Sequence, residues 1–501
     1  MSVPLPGSAR AALAWGLVWA VVGALILYFV APDPWPMQQS RATELHASLA
    51  VLNRGGPALL GYMPGTHTPY AIGYSDDQGI YAILPVLSHW LGQADPVAVF
   101  RWLWLAAWTS TLLLSAIVFR AIFRSRWAAL AAPPTLLVCI LSFGFGDIYW
   151  VTAWILAMSM PLLVLLARGG VRRSWPALAT IAFLAGVVST IRSDAGLAVA
   201  LAAAAVAAVA SIPRRLRAVA VVAVAVAYLT PSLIVLPAIR AHRDHRIGID
   251  LSANMPTSHP LWHSLYIGLG YTPNRYGIHY SDGYGAAAAR EVDPRAPYLS
   301  PAYSDALRRQ VDALVDRDFG FVAKAEAQKA VVELSHAGRY ILLLALLLPG
   351  TLAARGRQGL RAAELALFLP ALAIGALPAI VAIPLRDYEL TLLAPLGVLG
   401  LLGIGSAAAR AQEQWPAWQA AGLGWAARAR LALLGPPGGS SRRGTLRAIS
   451  VAVAILTPSF LLARHLEAEH RRWDSGERSP VTVVLATAAP RPHGYASRAR
   501  G

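Results

Sequence analysis

Long apolar runs separated by short arginine-bearing connections dominate the chain. Runs near 11–31, 99–119, 127–146, 149–167, 176–192, 195–212, 218–238, 339–354, 362–383, 389–408 and 446–463 approach the ~20 residues that an α-helix needs to cross a bilayer core. The pattern predicts an all-α, polytopic membrane protein of about eleven transmembrane helices with two long outer-face loops. Residues 176–192 and 195–212 are separated only by "RSDAG" and form either a helical hairpin or a broken pair. The first run is long and lacks a small-residue cleavage site, so it reads as a retained span rather than a removed signal peptide.

The polar positions divide the chain further. Residues 1–238 form a seven-span membrane module that includes a first outer loop at 32–98. A large outer loop follows at 239–338, then further spans over 339–463 with a cytoplasmic loop at 409–445, and an outer polar tail at 464–501. Loops of such length inside a compact domain usually fold or carry function. In the large loop, "SPAYSDALRRQVDALV" opens with Ser-Pro and puts Ala306, Leu307, Val311, Leu314 and Val315 on one helical face. The preceding "HPLWHSLYIGLGYTPNRYGIHYSDGYG" is rich in Gly, His and aromatics and predicts irregular structure. "LGPPGGSSRRG" at 434–444 predicts a flexible linker, and "PVTVVLATA" in the tail a short strand.

Charge fixes the orientation. Only 14% of the residues are charged and 56% are hydrophobic, with a mean hydropathy of +0.51, against about 25% charged in soluble domains. The net charge of +17 is almost wholly arginine, lysine occurring only at 324 and 329. Arg120/Arg124/Arg126, Arg168/Arg172/Arg173, Arg214/Arg215/Arg217 and Arg355/Arg357/Arg361 fall in alternate connections. By the positive-inside rule those connections are cytoplasmic, the N-terminus is inside and the C-terminus outside. Short clusters between spans serve orientation, so the basic balance does not point to nucleic acid. Single Cys139 lies in an apolar run, which excludes a disulfide framework, a thiolate metal site and cysteine catalysis.

Against this background "GYSDDQGIYAILP" (73–85) is unusual, because it holds two adjacent carboxylates, Asp76 and Asp77, in the first outer loop. The plain structural account makes Asp76 the cap of an amphipathic helix running to Leu91 at the interface, since Asp is a favoured N-cap. The chemical account makes one of the two carboxylates a base that removes a proton from a hydroxyl. The two accounts are compatible.

A first span, a long outer loop with an acidic doublet, and seven core spans followed by a second long outer loop resemble the GT-C superfamily of membrane glycosyltransferases. The resemblance implies an enzyme of the bacterial inner membrane that takes a sugar from a polyprenyl-phosphate donor and inverts the anomeric centre. Its partners would be the polyprenyl-phosphate-linked sugar, a lipid, glycan or protein acceptor, and membrane lipids. Asp76 and Asp77 would then be the catalytic candidates, with the choice between them open because the doublet is Asp-Asp rather than Asp-Glu. Some members use a divalent cation (Mg or Mn) and others do not; an Asp-Asp pair has the donor chemistry to hold one.

Further candidates fall on the same outer side. "IPLRDYELTLLAP" (383–395) resembles an Arg-Tyr stretch of the superfamily, with Asp387 inserted. Arg386 is either a donor-phosphate ligand or an interfacial anchor, and Tyr388 is a substrate contact or part of an aromatic belt. Arg192 and Asp194 in "TIRSDAG" either meet the donor phosphate and substrate or pair within a turn, and Asp147 in a very short outer turn is placed to line the same cavity as Asp76. In the large loop Trp262, His263 and Asp282 either suit carbohydrate, because sugar C–H faces stack on aromatics while hydroxyls need polar partners, or belong to an interfacial aromatic belt with buried Tyr hydroxyls. His259, His263 and His279 match no zinc spacing. A transporter or lipid flippase without covalent chemistry is the alternative, but it would place its charges near the bilayer midplane.

Overall fold

The computed structural model describes residues 7–29, 37, 39–73, 77–143, 147–169, 175–209, 213–252, 260–354, 356–385, 388–434 and 440–474. Asp76, Arg386, His259 and the strand expected in the tail lie outside them. The architecture is all-α, as the apolar runs predict. Among the described residues eight helices are long and apolar enough to cross a membrane, and three shorter apolar helices lie at 175–189, 194–208 and 362–377.

The helices are α1 (Gly7–Phe29), α2 (Gln39–Leu52), α3 (Gln78–Trp90), α4 (Pro96–Phe123), α5 (Arg126–Phe143), α6 (Trp150–Gly169), α7 (Trp175–Ser189), α8 (Ser193–Ala208) and α9 (Arg214–Thr230). They continue through a π turn (Pro231–Val235) to α10 (Leu236–Ile247), α11 (Leu261–Gly268), α12 (Asp282–Val292) and α13 (Pro301–Ala353). The last are α14 (Ala362–Ala366), α15 (Leu369–Val381), α16 (Leu390–Ala420), α17 (Trp425–Leu434) and α18 (Ser440–Asp474). Their ends follow local chemistry. The Asp95 side chain caps α4 by accepting from Val97 N at 2.8 Å with Pro96 in the first turn, and the helix stops at Arg124 in a left-handed conformation.

Two compact units emerge. The first holds residues 1–259, 336–379 and 384–457. In it α1 packs on α4, α16 on α5 and α6, and α7 on both α8 and α9. Lipid gives helices no hydrophobic reason to associate, so close backbone approach matters more. A Cβ at Gly186 would lie 2.2 Å from the Tyr228 carbonyl oxygen, and one at Gly196 would lie 2.2 Å from that of Ala185. Small residues thus draw α7, α8 and α9 together, and "RSDAG" turns a hairpin rather than breaking one helix.

The helix expected between the acidic doublet and Leu91 is α3, and the first outer loop also holds α2 and a short antiparallel hairpin pairing Leu60–Tyr62 with Pro69–Ala71.

The second unit holds residues 260–335, 380–383 and 458–501. The predicted face of "SPAYSDALRRQVDALV" is correct, since Ala306, Leu307, Val311 and Leu314 are buried. They pack with Tyr266, Ile267 and Tyr303. The irregular stretch expected before it is partly helical, because Trp262, Tyr266 and Ile267 give α11 an apolar face that its glycines obscure. The polar tail also begins later than its composition suggests. α18 runs on to Asp474, where His470 meets the Tyr271 carbonyl and the Trp473 indole N–H donates to that of Ile278.

Candidate functional site

The site begins with a charge on the wrong face of a helix. Arg41, Leu45, Ser48 and Leu49 occupy one buried stripe of α2 at i, i+4, i+7 and i+8. A buried guanidinium is costly unless it is paired. Arg41 pairs twice. Its Nε and Nη2 donate to Asp77 Oδ2 at 2.9 and 2.6 Å, and its Nη1 donates to Asp147 Oδ2. All three side chains are nearly sequestered, at 10, 12 and 7% exposure for Arg41, Asp77 and Asp147.

Local structure explains how the two carboxylates reach one guanidinium. Gly73 adopts φ +69°, and a Cβ there would strike the Tyr81 ring at 2.4 Å. Asp77 holds the N-cap position of α3 but makes no side-chain cap bond. Its carboxylate turns to Arg41 instead, while Asp76, the cap expected from the sequence, lies outside the described residues. The Gly79 N–H donates to the Thr190 carbonyl at 2.8 Å, tying the start of α3 to the α7–α8 turn. Asp147 opens a 3-10 turn, Asp147–Tyr149, with φ +38°, a conformation that carries strain for a non-glycine residue and recurs at functional sites. Its Oδ1 is buried and has no hydrogen-bond partner among the described residues.

A second group adjoins through Tyr149. The Arg192 guanidinium lies 4.7 Å from the centroid of Tyr149 and 5.3 Å from that of Tyr388, and the two rings meet edge to face at 5.5 Å. Asp194 Oδ1 approaches Arg192 Nε at 4.0 Å, and its Oδ2 accepts from Thr391 Oγ1 at 2.5 Å. Beside Tyr388, fully buried Glu389 meets His336 Nδ1 at 2.6 Å. Tyr149 lies within electrostatic reach of both Arg41 and Arg192.

Electrostatics follow from this burial. Desolvation opposes the charge on Arg41, but the field of Asp77 and the hydrogen bond to it outweigh that, and the guanidinium pKa is raised. Burial, with the like charge of Asp77, pushes Glu44 above the ordinary 4.5 against the N–H of Gly73 and the charge of Arg41. Tyr81 also rises, first through burial and then through Asp77. A carboxyl raised by folding holds its proton longer in the folded state, so its stabilisation is complete below the unfolded value and is lost as pH climbs through the folded one. Glu44→Gln, which mimics the protonated form at every pH, should therefore raise Tm over wild type at a pH of about 7.5 and lose that advantage near a pH of about 4. Thermal unfolding of both proteins across that range checks this.

Of the residues expected from sequence, Asp77 and Asp147 come together, and Arg192, Asp194 and Tyr388 form the adjoining group. Trp262, His263 and Asp282 belong to the second unit. There His263 is 1% exposed, with Nδ1 2.6 Å from the Tyr303 hydroxyl and Nε2 3.2 Å from Asp282 Oδ1. Arg41 and Glu44 escaped the sequence reading. Only once α2 is seen as a helix does Arg41 stand in line with Leu45 and Leu49, where an unpaired charge does not belong.

A divalent cation wants several carboxylate or carbonyl oxygens. Arg41 already engages Oδ2 of Asp77 and of Asp147, and among the described residues no group of three or more His, Cys, Asp and Glu side chains gathers as metal ligands. The described residues at this pair do not fit such an ion.

No protein-family model and no curated protein matches the chain. Among solved structures it is similar to the oligosaccharyltransferase of Archaeoglobus fulgidus in its apo form, with 12% identity and a TM-score of 0.39. The match covers 97% of this chain, which spans 62% of the length of that structure.

Proposed function

We propose that the chain is a multi-pass membrane glycosyltransferase of the GT-C type. It moves a sugar from a polyprenyl-phosphate donor to a lipid, glycan or protein acceptor on the outer face of the bacterial inner membrane, with its N-terminus in the cytoplasm and its C-terminus outside. The observation that supports this best is the buried Asp77–Arg41–Asp147 triad at the head of α3. It fixes a carboxylate of the first outer loop, whose side chain makes no cap bond, beside a second one from the turn before α6.

In this mechanism a carboxylate of the doublet, Asp77 or its neighbour Asp76, takes the proton of the acceptor hydroxyl. The acceptor oxygen attacks the anomeric carbon, the bond from that carbon to the phosphate oxygen breaks, and polyprenyl phosphate leaves with the bonding pair while the centre inverts. Arg41 holds Asp77 in one direction. Arg192, stacked on Tyr149 and Tyr388, binds the donor phosphate together with Arg386, and Asp194 orients Arg192. On the second unit Trp262 and Asp282 offer carbohydrate contacts, with His263 hydrogen-bonded to Asp282.

The test is consumption of polyprenyl-phosphate-linked sugar by the purified protein in lipid nanodiscs, followed as release of polyprenyl phosphate. Arg192→Lys keeps the charge but loses the planar fork and the stacking. It is expected to raise the donor KM roughly tenfold or more, the scale of one charged hydrogen bond, with the fold intact. Movement of intact lipid across the bilayer without consumption would replace this reading with a flippase.

A further inference from the structure

We propose that Arg41 is the built-in counter-cation of the site, standing where a divalent metal would otherwise neutralise two facing carboxylates. The pair then works without metal and becomes a metal site only when Arg41 is removed. The inference rests on the transferase reading for the reaction that the pair serves, but not for the ion balance itself.

Two carboxylates with side chains 12 and 7% exposed cannot share one pocket without positive charge between them. Two economical solutions exist, a hard cation ligated by the oxygens or a guanidinium whose planar fork spans them. The second is present here. Nε, Nη1 and Nη2 of Arg41 are all committed to Asp77 and Asp147. The arginine arrives from α2 and the carboxylates from the start of α3 and from the turn before α6, so three separate segments converge on one charge. The surroundings would accept a metal if the guanidinium were absent. Asp147 Oδ1 is buried and lacks a hydrogen-bond partner among the described residues. Glu44, one turn along α2 from Arg41, interacts electrostatically with both Asp77 and Arg41. Truncating Arg41 would therefore leave the carboxylates of Asp77 and Asp147 facing a newly opened space with no counter-charge between them, a deficit that a hard oxygen-seeking cation such as Mg or Mn makes good.

Mn titration of the full chain in nanodiscs, read by the loss of the free-ion electron paramagnetic resonance signal, tests this directly. Wild type and Arg41→Lys should show no stoichiometric site, and any donor consumption by wild type should be equal in excess chelator and in Mn. Arg41→Ala should gain about one bound Mn per chain, and Asp147→Asn in that background should remove it. Bound metal should also raise the Tm of Arg41→Ala while leaving wild type unmoved. A single Mn bound by wild type and abolished by Asp77→Asn or Asp147→Asn would overturn the proposal, as would a folded Arg41→Ala that gains no Mn. If Arg41→Ala does not fold, the wild-type and Arg41→Lys titrations still decide. A chain that consumes no donor under any condition would defeat the transferase reading and leave these binding results standing.

Discussion

Arg41→Gln is expected to destabilise the protein by about 3–5 kcal/mol, the cost of leaving a buried charge uncompensated. Here the change strands two carboxylates rather than one, because Asp77 and Asp147 both depend on the same guanidinium. Neither can turn to solvent, since Asp77 starts α3 against the Thr190 carbonyl through Gly79 and Asp147 sits in a strained turn. Arg41→Lys should cost less, because an ammonium keeps the charge but cannot span both oxygens at once. Adding Asp77→Asn to Arg41→Gln should recover part of the loss, since the members of one network are not additive. Thermal unfolding of the four proteins in the same nanodiscs measures this. An Arg41→Gln protein as stable as wild type would mean that the triad does not hold the first outer loop in place.

Asp77→Asn is expected to lower the rate of sugar transfer by about two to four orders of magnitude, the usual worth of a positioned general base, with a smaller loss of stability. The asymmetry comes from the geometry. Arg41 keeps Asp147 as its partner after the change, so no charge is left wholly unpaired. If Asp77 only started a helix, Asn would serve almost as well, but the Asp77 side chain makes no cap bond to lose. Turnover should be measured for Asp77→Asn and Asp76→Asn at matched thermal stability. A large loss confined to Asp76→Asn would assign the base to Asp76 and leave Asp77 as its anchor to Arg41. Near-normal turnover in both would reject the proposed mechanism.

The helices were legible because apolar runs report themselves whatever they pack against. Every predicted span falls on helical structure, although 362–383 divides between α14 and α15, 218–238 runs from α9 through the π turn into α10, and 339–354 is the end of α13. Asp147 and the Asp76–Asp77 doublet were legible for a different reason: acids are scarce, 26 among 501 residues, and these stand next to apolar spans. Arg41 was hidden by the opposite circumstance. It is one of 43 basic residues, in a stretch read as loop, and its importance lies in partners 36 and 106 positions away. No spacing rule reaches that far. The length of α18 was missed because hydropathy falls from Arg464 onward, whereas the helix is carried on by polar pairs such as His465 with Glu469 at i, i+4.

The hairpin of α7 and α8 has a consequence for the membrane itself. At 15 and 16 residues these helices rise about 23 Å at 1.5 Å per residue, less than the ~30 Å hydrocarbon thickness of a typical bilayer. Hydrophobic mismatch of this sign is relieved by thinning the lipid around the short element. Arg192 closes the turn between the two helices and Asp194 lies in the first turn of α8, so such thinning would centre on those charges. Thinning of this kind lowers the headgroups over the hairpin. Under the proposed function, the phosphate of a lipid-linked donor would then reach the level of Arg192 without its long tail leaving the bilayer.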